Sequence, residues 1–251
     1  MGYAGSEMTE RQILNINVDG IAKDSTITID NFSSLDITVG NIYLRTAKQG
    51  IFKIIQNKTL EKPEITLPSE FFEFINLRCD EGNLSINFSD PENQNDDEII
   101  YSILLDRPII LKSPDLPLNI KNHAFDEMQI QGTSSDSIRI QMTNTLKLSD
   151  SNLKSLTFVG SQQYRGYNLD ISFQKTSVEK ISMENFCGPL HFESDSISIV
   201  KDLILKVPDN YTQSFSPGNL CISKFTFIPE GENANITLKE NSGFSTALNS
   251  Y

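Results

Sequence analysis

Residues 118–159 read LNIKNHAFDEMQIQGTSSDSIRIQMTNTLKLSDSNLKSLTFV. The triplets Leu118-Asn119-Ile120, Met128-Gln129-Ile130, Ile138-Arg139-Ile140, Leu146-Lys147-Leu148 and Leu156-Thr157-Phe158 within it all run apolar, polar, apolar. A period of two marks a half-buried strand, because successive side chains of an extended chain point to opposite faces. Between triplets lie Ser134-Ser135-Asp136-Ser137 and Ser149-Asp150-Ser151-Asn152. Such residues favour turns, since their short polar side chains bond nearby backbone. Counted from Ile109, the triplets begin 9, 10, 10, 8 and 10 residues apart. Three strands with their turns therefore occupy about 28 residues, within the range of repeat architectures.

The same unit recurs on both sides of this stretch, at Ile27-Thr28-Ile29, Leu35-Asp36-Ile37, Ile65-Thr66-Leu67, Leu84-Ser85-Ile86, Leu169-Asp170-Ile171, Leu190-His191-Phe192 and Ile236-Thr237-Leu238. No comparable run has helical periodicity, so the fold class is all-β. The outward positions are Asp, Ser, Thr, Lys and Arg, which leaves one face of each strand wet. Ordinary parallel sheets are covered on both faces and read as continuously apolar. Stacked coils permit a wet outer face, so the expected architecture is a single-stranded parallel β-helix (β-solenoid) with coils of about 22–28 residues. One domain is expected over residues 1–251, with caps at 1–20 and 241–251 that cover the open ends of the stack. The alternative is an antiparallel β-sandwich. It needs many hairpins, yet there is no Asn-Gly and Asp19-Gly20 is the only Asp-Gly.

A longer phase, apolar at i, i+3 and i+5, appears at Phe72/Ile75/Leu77, Ile100/Ile103/Leu105, Phe125/Met128/Ile130, Leu153/Leu156/Phe158, Val178/Ile181/Met183, Val200/Leu203/Leu205 and Ile222/Phe225/Phe227. This phase resembles the LxxLxL strand of leucine-rich repeats. Where that family places Asn or Cys, this chain has Asp80, Pro108, Thr133, Ser161, Phe186, Pro208 and Glu230. No asparagine ladder can form, and the resemblance implies a stacked-strand architecture without implying a function.

The 251 residues carry a formal charge of −12 and a pI near 4.6. Arg11, Arg45, Arg78, Arg107, Arg139 and Arg165 are scattered, so nucleic acid is excluded as a partner by long-range repulsion without a basic patch. Cys79, Cys187 and Cys221 show no CxxC spacing and are expected to be reduced, packed thiols rather than a disulfide framework or a zinc site. No cofactor is expected. No apolar run approaches the roughly 18 residues of a membrane span, and the N-terminus lacks a signal-peptide core. The expected location is cytoplasmic, or exported without a cleavable signal. Met1-Gly2 through Ser6 also fits the short myristoylation pattern.

The candidate binding residues are Tyr164, Arg165 and Tyr167, which interrupt the regular spacing and combine aromatic faces with a fork of donors. The acidic stretch 90–98 reads as a solvated loop, for it lacks the glycine and ligand order of an EF-hand. Catalytic residues are not identifiable. His191 is outward and could act as an acid or base, and Asp36 and Asp170 are outward carboxylates of the kind a glycoside hydrolase pairs. The expected function is a non-catalytic interaction or structural scaffold for a protein or surface partner. The alternative is a carbohydrate-binding or carbohydrate-active protein, hydrolase or lyase, that takes a neutral glycan.

Overall fold

The computed structural model describes residues 12–16, 24–40, 42–46, 50–89, 99–105, 107–132, 134–141, 144–160 and 168–239. The first strands in the chain are β1 (Gln12–Ile16), β2 (Asp24–Thr28), β3 (Ser34–Val39), β4 (Ile42–Thr46), β5 (Phe52–Gln56) and β6 (Glu64–Pro68). A short 3-10 segment, Ser69–Phe74, leads to β7 (Ile75–Asp80), β8 (Asn83–Phe88), β9 (Ile99–Leu105) and β10 (Ile109–Ser113). Next come β11 (Asn119–Asn122), β12 (Glu127–Gln131), β13 (Ser134–Gln141), β14 (Thr145–Ser149), β15 (Asn152–Val159) and β16 (Leu169–Gln174). The last are β17 (Ser177–Glu184), β18 (Leu190–Ser194), β19 (Ile199–Val207), β20 (Thr212–Ser216), β21 (Cys221–Pro229) and β22 (Asn235–Leu238).

These strands form two large sheets and one small one. The ten-stranded sheet has the order β2-β6-β10-β5-β12-β14-β16-β18-β20-β22, the nine-stranded sheet β21-β19-β17-β15-β13-β11-β3-β8-β7, and the three-stranded sheet β1-β9-β4. From β10 onward each successive strand joins the opposite large sheet, and from β11 onward each strand pairs with the next-but-one strand in sequence. Pairing is parallel except at one end, where β6 runs antiparallel to β2 and β10, and β7 antiparallel to β8.

The single-stranded parallel β-helix is therefore corrected: the chain builds two large, mostly parallel sheets, sandwich-like, that do not close into a solenoid. Spacings of 9 or 10 residues measure a crossing from one sheet to the other, not a third of a coil. Strand order is also not sequential, for β5 lies between β10 and β12, and β3 between β11 and β8. Two facing sheets match the sandwich alternative in layering but not in strand direction. A period of two says that one face is buried; it cannot say which sheet a strand joins. Of the expected caps, residues 1–11, 17–20 and 241–251 lie outside the described residues, and 12–16 form β1. Ser134–Ser137, read as a turn, instead begins strand β13.

One apolar core runs between the sheets. Ile54, Ile65, Leu84, Leu146, Leu156, Ile181, Leu203 and Phe215 in it are fully excluded from solvent. Burial of each such side chain contributes about 1.5–3 kcal/mol. Phe192 lies between Phe173 and Phe215, with ring centroids 5.4 and 5.2 Å away in edge-to-face contact. The 3-10 segment links β6 of one sheet to β7 of the other and buries Phe71 and Phe74.

The longer apolar phase has a structural cause. In β15, β17, β19 and β21 the register aligns Leu153, Val178, Val200 and Ile222 in one row and Leu156, Ile181, Leu203 and Phe225 in the next. It steps over Lys154, Glu179, Lys201 and Ser223, so each strand places two consecutive residues outward at the same level. The break in alternation is stacked at the same level in all four strands, as a bulge repeated from strand to strand would be.

Candidate functional site

Tyr164, Arg165 and Tyr167 lie outside the described residues, as does the acidic stretch 90–98. His191 and Asp170 are brought together. They are register partners on β18 and β16, with Nδ1 and Oδ1 3.7 Å apart, and Ser216 of β20 stands on the other side of His191. The row resembles a nucleophile, base and orienter in order only. His191 and Asp170 are each about half exposed (48 % and 52 %), and the described residues provide no hydrogen bond between Ser216 and His191. Activation of a serine requires that bond, in a site that excludes water. Neighbouring outward residues on parallel strands meet in this way without any catalytic role.

Beside this row the ten-stranded sheet carries a groove of about 460 Å³, lined in part by Gln129, Lys147, Ser172, Gln174, Glu193 and Asp195. Its charged groups are already engaged. Lys147 Nζ donates to Glu127 at 2.9 Å, and Glu193 accepts from Ser172 at 3.3 Å. Asp195 accepts from the Ser198 hydroxyl (2.6 Å), the Ser198 amide (2.9 Å), the Ile197 amide (3.3 Å) and the Lys175 amide (2.7 Å). The Ser198 hydroxyl first, and then these amides, hold the Asp195 carboxyl below its ordinary value. These four donors tie the Asp195 carboxylate to its own chain. Asp195 secures the turn between β18 and β19.

A second groove, of about 450 Å³, crosses the outer face of the nine-stranded sheet over β3, β8, β11 and β13. Alternation turns two rows outward here. One row is Asn83, Ser34, Asn119 and Arg139; the other is Ser85, Asp36, Lys121 and Gln141. Strand β11, only four residues long, offers Asn119 and Lys121 alone. Short side chains at Ser34, Asp36, Asn83 and Asn119 line it together with longer ones at Lys121, Arg139 and Gln141, and Leu35, Ile120 and Val159 add apolar surface.

The unusual atom of this groove is Asp36 Oδ1. It is out of contact with solvent, and no described donor reaches it. A buried acceptor left without a partner costs about 1–3 kcal/mol, more when charged. Lys121, its register partner, is exposed and forms no ion pair among the described residues, whereas Arg139 donates to Glu184 at 3.1 Å. Asn119 Nδ2 is 3.5 Å from Ser34 Oγ, across 85 positions of sequence. Sequence reading named Asp36 but missed Lys121, Arg139, Asn83, Asn119 and Gln141. No local signal could have found them, because strand register assembles the site.

Cys79, Cys187 and Cys221 are free thiols, but only Cys187 is buried; Cys79 and Cys221 are exposed, which corrects the expectation that all are packed. Desolvation, then Asp30 and Asp80, push the Cys79 thiol up, away from a reactive thiolate. Among the described residues no group of three or more His, Cys, Asp or Glu side chains could hold a metal ion, and no helix is long and apolar enough to cross a membrane.

The fold and grooves define an all-β protein with polar outer faces on two large sheets. No family model matches the chain, and no curated protein matches it. Solved structures with a similar course include a candidate lipid-binding protein from Parabacteroides distasonis, at 15 % identity and a TM-score of 0.43, over 90 % of this chain and 100 % of that one. A candidate adhesin from Bacteroides fragilis is similar at 9 % identity and a TM-score of 0.48, again over 90 % and 100 %. A candidate adhesin from Parabacteroides merdae is similar at 9 % identity and a TM-score of 0.38, over 91 % and 99 %.

Proposed function

We propose that this is a non-catalytic binding protein that meets a protein or surface partner with the outer face of its nine-stranded sheet. The observation that carries the reading is the groove on that face, where Asp36 stands in one row beside the exposed Lys121, which forms no ion pair among the described residues. Concave sites with a few convergent polar groups are where proteins hold what they bind. The site is held on β3 and β11, whose inward residues Leu35, Ile37 and Ile120 are buried in the core. Such a platform positions side chains without needing to move. Carboxylates engaged in turns and ion pairs support binding rather than hydrolysis.

An array bearing both glycans and purified extracellular proteins, probed with the labelled full chain, tests this. Binding to at least one class is expected, with loss in Asp36→Ala and Lys121→Ala while circular dichroism and melting temperature hold. Binding that survives both substitutions would place the partner elsewhere and overturn the reading. Turnover of chromogenic glycosides by the purified protein would overturn its non-catalytic character.

A further inference from the structure

We infer that the free edge of β21 receives an extended segment of a partner protein, added as a further parallel strand of the nine-stranded sheet. This surface is the edge of the sheet, apart from the Asp36 groove on its face. On β19 the apolar rows are closed, for Val200, Leu203 and Leu205 are all buried. On β21, the last described strand of the sheet, the rows open. Ile222 and Phe227 are only half-buried there, as are Ile236 and Leu238 of β22 at the same end of the opposite sheet. Strand β21 is nine residues long, and the backbone donors and acceptors along its free side are the template on which an added strand pairs.

Register dictates what that strand must be. The apolar positions of β21 run i, i+3 and i+5 because of the stacked break in alternation, so a strand beside it needs the same phase to continue all three rows. An antiparallel strand of that phase fails, since i, i+3, i+5 reversed is i, i+2, i+5. A second copy brought edge to edge about a two-fold axis is such a strand: aligning its Phe227 with Ile222 sets its Phe225 against Lys224. The added strand therefore runs parallel to β21, as β19 does. Charge fixes a further position. Signs alternate along the row Lys180, Asp202, Lys224, and Lys224 has Asp202 on one side and no described strand on the other. Opposite charges directly across a strand pair are favourable and like charges unfavourable, so the added strand carries Asp or Glu at that level. Its pattern is apolar, any, acidic, apolar, any, apolar. The chain itself shows that such a strand fits such an edge. Val200-Lys201-Asp202-Leu203-Ile204-Leu205 of β19 has this pattern and lies against β17 with Asp202 beside Lys180.

The probe is a fluorescently labelled peptide with the sequence of residues 198–208, SIVKDLILKVP, titrated with the full chain and read by anisotropy. Saturable binding is expected. Lysine in place of Asp202 in the peptide should weaken binding by about tenfold, through an attraction lost and a repulsion gained. Lys224→Glu in the protein should reverse that preference, so that the lysine peptide binds better than the parent peptide. Such an exchange of preference cannot come from a general effect on folding. Removing Lys201 from the peptide restores strict alternation, breaks the phase and should abolish binding. No saturable binding of the parent peptide, a preference that Lys224→Glu leaves unchanged, or equal binding of the phase-broken peptide each overturns the inference. Binding that appears only when residues 240–251 are deleted assigns the edge to the chain's own C-terminal segment, and overturns it as well.

Discussion

Gly218 has a φ of +56°, in the left-handed region, and a Cβ added there would collide with the carbonyl oxygen of Phe192. Strand β18 must shift to relieve that contact, and left-handed φ is itself unfavourable for a residue with a Cβ. Gly218→Ala should therefore destabilise by on the order of 2 kcal/mol, read by chemical denaturation; an unchanged midpoint would show that the turn yields freely. Asp195 makes a different kind of contribution. Its carboxyl titrates below its ordinary value of 3.8, so the stability it contributes is fully present above that pH and is lost as pH falls through the lowered folded value. Asp195→Ala should accordingly lower the melting temperature at neutral pH, with the gap to wild type closing below pH 3.8. A gap that stays constant with pH would exclude this linkage. From sequence, Asp36, Asp170 and His191 were legible as outward residues because each is the middle of a triplet. That His191 would stand beside Asp170 was not legible, since register is decided by distant turns and core packing.

Strands were the most legible elements, for alternation is a local property of the chain. Sheet membership was not. The rows built from Leu156, Ile181, Leu203 and Phe225 explain why a leucine-rich-repeat-like phase appears: β15, β17, β19 and β21 share a break in alternation, and that break converts i, i+2 spacing to i, i+3. Core and surface on these elements should respond very differently to substitution. Phe192 is fully buried between two rings, so Phe192→Ala should cost about 3–5 kcal/mol through lost burial and the cavity left behind. Glu184 accepts from Arg139 at 3.1 Å and from Lys206 at 3.5 Å, but at the surface, so Glu184→Gln should cost less than about 1 kcal/mol. Urea denaturation of both variants measures the contrast, and equal costs would mean that the outer ladders, not the aromatic core, hold the sheets together.

At the scale of the molecule, two open sheets leave edges, and backbone groups along an edge can pair with another copy. The two ends of this protein differ. At one end the 3-10 segment carries the buried Phe71 and Phe74, and β7 sets exposed Arg78 and Asp80 on its edge in an ion pair of 2.9 Å. At the other, β21 is nine residues long, has only β19 beside it among the described strands, and leaves Ile222 and Phe227 half-buried. The devices visible there are exposed Lys224 near its middle and Pro229 at its end. A lysine disfavours pairing because a second copy would have to strip water from its ammonium, and the net charge of −12 adds a longer-range barrier between copies. These two terms separate by salt. The Debye length falls from about 8 Å at 0.15 M to about 3 Å at 1 M, which removes the general repulsion while leaving the local cost of burying Lys224. Wild type should therefore stay monomeric in sedimentation velocity at both salt concentrations, whereas Lys224→Val should associate with rising concentration, and more so at 1 M salt. If Lys224→Val sediments as a monomer under both conditions, the β21 edge is not guarded by its lysine, and whatever keeps copies apart at that end acts without it.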